Sequence, residues 1–166
     1  MTPLSRYIPV MTTAAVIGSG LMSGLLFAFS NFVMKALGQL PATSGMDAMQ
    51  RINVAIVNPL FICIFLGTTA LCAALVFLGV LGRSQPGLTP ITIGALCYLV
   101  GAFGITVFCN VPLNHALAGV GPSAAANQWP TYLVRWQAWN HARTVITVAA
   151  TGFMAYGLAQ LGAAKP

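Results

Sequence analysis

The sequence predicts an all-α membrane protein: one four-helix transmembrane bundle over residues 1–166, with a short interfacial helix before helix two and an aromatic-rich helical segment leading into helix four. Three observations carry that prediction. Of the 166 residues 58% are hydrophobic and 5% charged, whereas soluble domains carry about a quarter of their residues as charged ones. Four apolar stretches each approach the roughly 20 residues that cross a hydrocarbon core. Small residues recur at the spacing that lets membrane helices approach closely, Gly20 with Gly24 and Ala70 with Ala74.

The spans fall at about 10–34, 59–81, 88–109 and 142–161. The first follows Arg6, as a signal peptide would, but its apolar run is too long and lacks a small-residue cleavage site, so it reads as a transmembrane helix. Between spans one and two, Ser44 and Asp47 offer helix caps. Met46, Met49, Asn53, Ile56 and Leu60 recur at helical spacing, and Asp47 pairs with Arg51 four residues on. This predicts an interfacial helix with Asn53 facing inward, ending where Asn58 caps a new helix and Pro59 takes its first position. Span three leaves through Asn110-Val-Pro-Leu-Asn114, where Pro112 frees a backbone carbonyl. The Gly119–Asn127 segment reads as a link, and Trp129 and Tyr132 as an interfacial aromatic belt.

Four spans put both termini on one side. The polar residues Ser30, Asn31, Asn53, Asn58, Asn110, Asn114, Asn140, His141 and Arg143 then gather at the opposite face, which also holds the connections between spans one and two and between spans three and four. Intramembrane polar side chains are costly unless satisfied, so this face is the functional end. Its densest part is Trp136-Gln-Ala-Trp-Asn-His-Ala-Arg143. At about 100° per residue, Trp136, Trp139, Asn140 and Arg143 share one helix face, continued by Thr144, Thr147 and Thr151. His141 and Arg143 flank this stripe, and Arg135 stands four residues before Trp139, as in a cation–π pair.

Net charge is +6, from seven Lys and Arg against one acid. The basic residues are scattered singly, which argues against nucleic acid as a partner and fits interfacial anchoring against membrane lipid. With two histidines, no Glu and one Asp, no HExxH, facial-triad or di-carboxylate metal site can be assembled, so no metal is expected. A haem on His115 and His141 stays open as an alternative. The cysteines Cys63, Cys72, Cys97 and Cys109 lie inside spans with no CxxC and read as small buried hydrophobes.

The motifs Asn110-Val-Pro-Leu-Asn114 and Trp136-x-x-Trp-Asn-His-x-Arg143, with Phe29-Ser30, Val33-Met34, Ala48-Met-Gln-x-Ile-Asn53 and Asn58-Pro59, resemble the anthrone oxygenase-like family of small four-helix membrane proteins. The resemblance covers nearly the whole chain. A bacterial cytoplasmic membrane is the expected location; the basic residues divide between the two sides, Arg6, Arg83 and Lys165 against Lys35, Arg51, Arg135 and Arg143, and the termini are placed on the cytoplasmic side. The resemblance implies an oxidoreductase that oxidises a flat phenol, anthrone or quinol-like molecule with dioxygen. No other cofactor is demanded if the substrate forms an electron-rich carbanion that reacts with dioxygen directly. In that reading the aromatic substrate stacks on Trp136 or Trp139 and His141 acts as base, since imidazole titrates near neutrality. Arg143 stabilises the anion with amide help from Asn140, Asn110 and Asn114, and Asn31, Asn53 and Asn58 complete the substrate-binding face. The same lining would serve a different class of protein, a non-catalytic quinone-, lipid- or haem-binding subunit within a homo-oligomer or a larger membrane complex.

Overall fold

The computed structural model describes residues 7–82 and 87–163, and within them there is no strand. Five helices follow in order there. They are α1 (Ile8–Gly38), α2 (Ala42–Ala55), α3 (Pro59–Leu81), α4 (Leu88–Ala118) and α5 (Ala125–Ala163), the last led in by a 3-10 turn, Pro122–Ala124. All but α2 are long and apolar enough to cross a bilayer, and the protein is an integral membrane protein built as a helical bundle. The expected loop residues Arg83, Ser84 and Gln85, and the terminal Arg6 and Lys165, lie outside the described residues.

Two spans run further than the apolar stretches indicate. Helix α4 does not stop at Asn110: Pro112 falls in the first turn of its last segment, Val111–Ala118, where a missing N–H costs little. Helix α5 is 39 residues long, about 58 Å at 1.5 Å per residue, nearly twice the thickness of a hydrocarbon core. Its N-terminal part therefore stands beyond the membrane, and there it packs on α2. Trp129 and Tyr132 are buried in that contact and stacked on each other, 5.6 Å between centroids, so they are core residues and not an outward belt.

The interfacial helix forms as its spacing indicates, with Met46 and Met49 buried and Asp47 bonded to Arg51 at 2.8 Å. That carboxylate raises the Arg51 guanidinium above its usual range, through its hydrogen bond first and its charge second. The start differs. Neither Ser44 nor Asp47 caps α2; it begins at Ala42 behind Pro41, with no side-chain cap, because Pro41 already fixes an extended entry to the first turn. Asn58 does cap α3, accepting from the Phe61 N–H at 3.0 Å, with Pro59 in the first turn.

Helix contacts rest on glycines other than the predicted pair. A Cβ on Gly20 would come no nearer than 4.0 Å to Thr151, and one on Gly24 would meet nothing. Close approach occurs instead between α4 and α5, where a Cβ on Gly94 would lie 2.7 Å from the Ala150 carbonyl oxygen. Ala70 is likewise exposed, and of the cysteines Cys63 faces outward while Cys72 is buried. Two apolar cores result. One lies among α1, α3, α4 and α5 around Phe65, Leu75, Tyr98 and Met154, the other among α1, α2, α4 and α5 around Met34, Met49, Trp129 and Trp136.

Candidate functional site

A cavity of about 140 Å³ opens where the two cores meet. Met22 and Phe61 border it from the first core, Phe29, Met49 and Trp136 from the second, and Asn53, Thr106, Asn114 and Arg143 supply its polar wall. The helices that frame it leave regular α-geometry here. Helix α1 takes a π-helical turn at Phe29–Val33, and α4 takes two, Leu99–Gly104 and Thr106–Asn110. Such turns insert a residue and re-aim the side chains beside them, and they are frequent at functional sites. Phe29 and Thr106 each begin one and each border the cavity.

Arg143 is the centre of the polar wall. It is 7% exposed, its Nε donates to Asn140 Oδ1 at 3.0 Å and its Nη1 to Thr106 Oγ1 at 2.9 Å. Its Cζ stands over the Trp136 ring, 5.1 Å from the centroid, and this, not the expected Arg135 with Trp139, is the guanidinium–indole contact of the segment. A guanidinium carries five N–H donors and keeps its charge. The two bonds leave donors on Nη1 and Nη2 with no protein acceptor among the described residues. The chain's one acidic residue, Asp47, is bonded to Arg51. A buried cation thus borders a cavity with no side-chain counter-anion, an arrangement that costs several kcal/mol unless something else supplies the negative charge.

Asn140 holds this cation in place from behind. It is fully buried, and while its Oδ1 accepts from Arg143, its Nδ2 donates to the Leu26 carbonyl at 3.0 Å and to Ser30 Oγ at 2.7 Å. Ser30 in turn bonds Thr144 Oγ1 at 2.9 Å. Both ends of the Asn140 amide are therefore engaged, and together they fix Arg143 to α1.

Asn114 provides a second donor. Its Oδ1 accepts from Tyr132 Oη at 2.9 Å and from Trp136 Nε1 at 2.8 Å. Both partners are donors in these bonds, so the shared atom must be the carbonyl oxygen, and the amide nitrogen is left without a protein acceptor among the described residues. Asn53 also borders the cavity, but its Nδ2 is buried beside the Tyr132 hydroxyl and has no partner in bonding geometry. Asn110 stands just outside, 1% exposed, bonding the Trp136 carbonyl through Nδ2 at 3.3 Å with its Oδ1 unpaired.

The sequence-predicted residues therefore divide. Arg143, Trp136, Asn114 and Asn53 border the cavity, and Asn140 and Asn110 support it. Trp139 is 43% exposed and His141 and Asn31 are exposed, away from it. On a regular helix His141 lies roughly 140° around from Trp136 in one direction, and Trp139 about 60° in the other. The flank expected to hold His141 is the outer side of α5. Asn58 is engaged in its cap. His115 is exposed as well, so neither histidine offers the cavity an axial ligand, and among the described residues no cluster of three His, Cys, Asp or Glu is present. Thr106 and Tyr132 are not assigned to the site by sequence. Thr106 carries no motif, and Tyr132 looks like any interfacial aromatic until α2 is seen to cover it.

A family model described as Anthrone oxygenase matches residues 61–153. That stretch includes nearly all of α3, the whole of α4 and most of α5, and with them Thr106, Asn110, Asn114, Trp136, Asn140 and Arg143. No curated protein matches the chain, and no solved structure does.

Proposed function

The chain belongs to the anthrone oxygenase family, and from that premise we propose that its cavity binds a flat anthrone, phenol or quinol-like molecule as an oxyanion and promotes its oxidation by dioxygen. The observation that carries the reading is Arg143, a buried cation with free N–H groups on a cavity and no side-chain anion to meet them. The amide nitrogen of Asn114 adds a further donor to that wall. Fixed donors in a low-dielectric site favour the form of a ligand that bears negative charge on oxygen.

For an anthrone the consequence is chemical. Loss of a proton from the ring CH2 gives an anion whose charge rests largely on the carbonyl oxygen, and Arg143 stabilises that oxygen. The carbanionic carbon reduces and then bonds dioxygen, forming a peroxide that is protonated. The remaining C–H proton departs as the O–O bond breaks, so CH2 and O2 become C=O and H2O. Among the described residues no imidazole or carboxylate borders the cavity. The residues there act by lowering the energy of the anion, and the proton passes to water.

Oxygen uptake with anthrone, on purified protein in detergent, tests this. Wild-type protein is expected to accelerate uptake, and Arg143→Gln to lower the rate by about 10²-fold or more, the usual cost of removing an oxyanion donor. Equal rates for the two proteins would refute the proposal.

A further inference from the structure

We infer that the cavity continues sideways into a lipid-facing groove between α1 and α3, and that the ligand spans both, with its oxygen-bearing edge in the cavity and its apolar remainder extending into the groove. This rests on the oxyanion reading above and adds the shape of the ligand to it.

Two observations join the spaces. A groove of about 190 Å³ runs along Leu21, Leu60 and Ile64, and it shares Met22, Leu25 and Phe61 with the cavity. Those three side chains line both spaces, of which the cavity carries a polar wall on one side. Leu21 and Leu60, on the groove side alone, are 56% and 71% exposed. Both belong to helices long and apolar enough to cross a bilayer, and both face outward.

Size then decides the occupant. A cavity of about 150 Å³ holds one benzene ring, and this one measures about 140 Å³. A molecule with several fused rings or a tail exceeds that volume, so only part of it lies in the cavity and the rest extends into the adjoining apolar space. The chemistry of the walls gives the orientation, since Arg143, Asn114 and Asn53 lie at the cavity, whereas the groove is lined by Leu21, Leu60 and Ile64 with Asn58, whose amide is taken up by the Ala55 carbonyl and the Phe61 N–H. A ligand dissolved in the bilayer would reach Arg143 along this seam without crossing water.

The test compares a three-ring probe, anthrone, with a one-ring probe, phenol. Binding of each is measured by calorimetry in oxygen-free lipid nanodiscs, for wild type, Leu21→Trp, Leu60→Trp and Arg143→Gln. The two tryptophan variants fill the groove at lipid-exposed positions and leave the cavity lining intact. They are expected to weaken anthrone at least about tenfold, as when one ring's burial is denied, and to leave phenol within about twofold. Phenol binding also shows that each variant is folded at the site. If anthrone is unaffected by either variant, or both probes weaken equally, while Arg143→Gln abolishes binding of both, the groove has no such role though the oxyanion site stands. If Arg143→Gln binds both probes as wild type does, the oxyanion site itself is wrong and the groove inference falls with it.

Discussion

Asn140 and Arg143, one helical turn apart on α5, are joined by a 3.0 Å hydrogen bond from the guanidinium Nε to the amide Oδ1. Because the Asn140 amide nitrogen is bonded at the same time to Leu26 and Ser30, the position of the buried cation is tied to the shape of α1. A substitution at Asn140 therefore tests positioning, and one at Arg143 tests charge.

Asn140→Ala is expected to destabilise the protein by about 2 kcal/mol or more, since Arg143 Nε loses its acceptor and Ser30 and the Leu26 carbonyl lose a donor. Thermal unfolding in detergent would register this as a lowered midpoint. Asn140→Asp makes a sharper test. It keeps an acceptor for Nε but places an internal anion beside Arg143, so the fold is expected to persist while affinity for a phenolate drops about tenfold or more.

Arg143→Lys is expected to behave much like Arg143→Gln in oxygen uptake. An ammonium is a single point charge and cannot reproduce the fork that reaches Asn140, Thr106 and the cavity together. A lysine variant with more than about a tenth of wild-type activity would indicate that charge alone suffices and that the fixed geometry is dispensable.

His141→Ala is expected to leave oxygen uptake within about twofold of wild type, the range of a surface substitution, because His141 is exposed on the outer side of α5. The sequence alone points the other way, to His141 as the base. A loss of about 10²-fold or more, the scale of a missing general base, would restore it to the chemistry and show that α5 rotates or is completed by another surface.

Tyr132→Phe is expected to cost about 1 kcal/mol through the lost bond to Asn114. It also frees one lone pair of Asn114 Oδ1 while leaving the bond from Trp136 Nε1. Urea or thermal titration reads the stability, and anthrone uptake is expected to fall less than for Arg143→Gln.

The bundle is legible in the sequence because composition alone fixes it: four apolar runs in a chain with few charges admit little else. The interfacial helix is legible from the spacing of Met46, Met49 and Asn53, and so is the cap at Asn58. The site is legible in part. Periodicity identifies Trp136, Asn140 and Arg143 because the buried face of a regular helix repeats every 3.6 residues. It cannot place Trp139 and His141, since the width of that face depends on which neighbours cover it. Thr106 and Phe29 depend on π-helical turns, which shift register without a sequence signature. Trp129 and Tyr132 carry the composition of an interfacial belt, and only the position of α2 makes them core.

If Arg143 favours the anionic form of a bound ligand, the effect is visible in the absorption spectrum of anthrone bound to the protein without oxygen, recorded across pH for wild type and Arg143→Gln. Where only the anion is stabilised, its longer-wavelength band appears on wild-type protein at least about one pH unit below its appearance in protein-free nanodiscs, since each unit reflects about 1.4 kcal/mol of preferential binding. Arg143→Gln loses that displacement. An anion band that appears at the same pH with wild type, with Arg143→Gln and without protein would overturn the role assigned to Arg143.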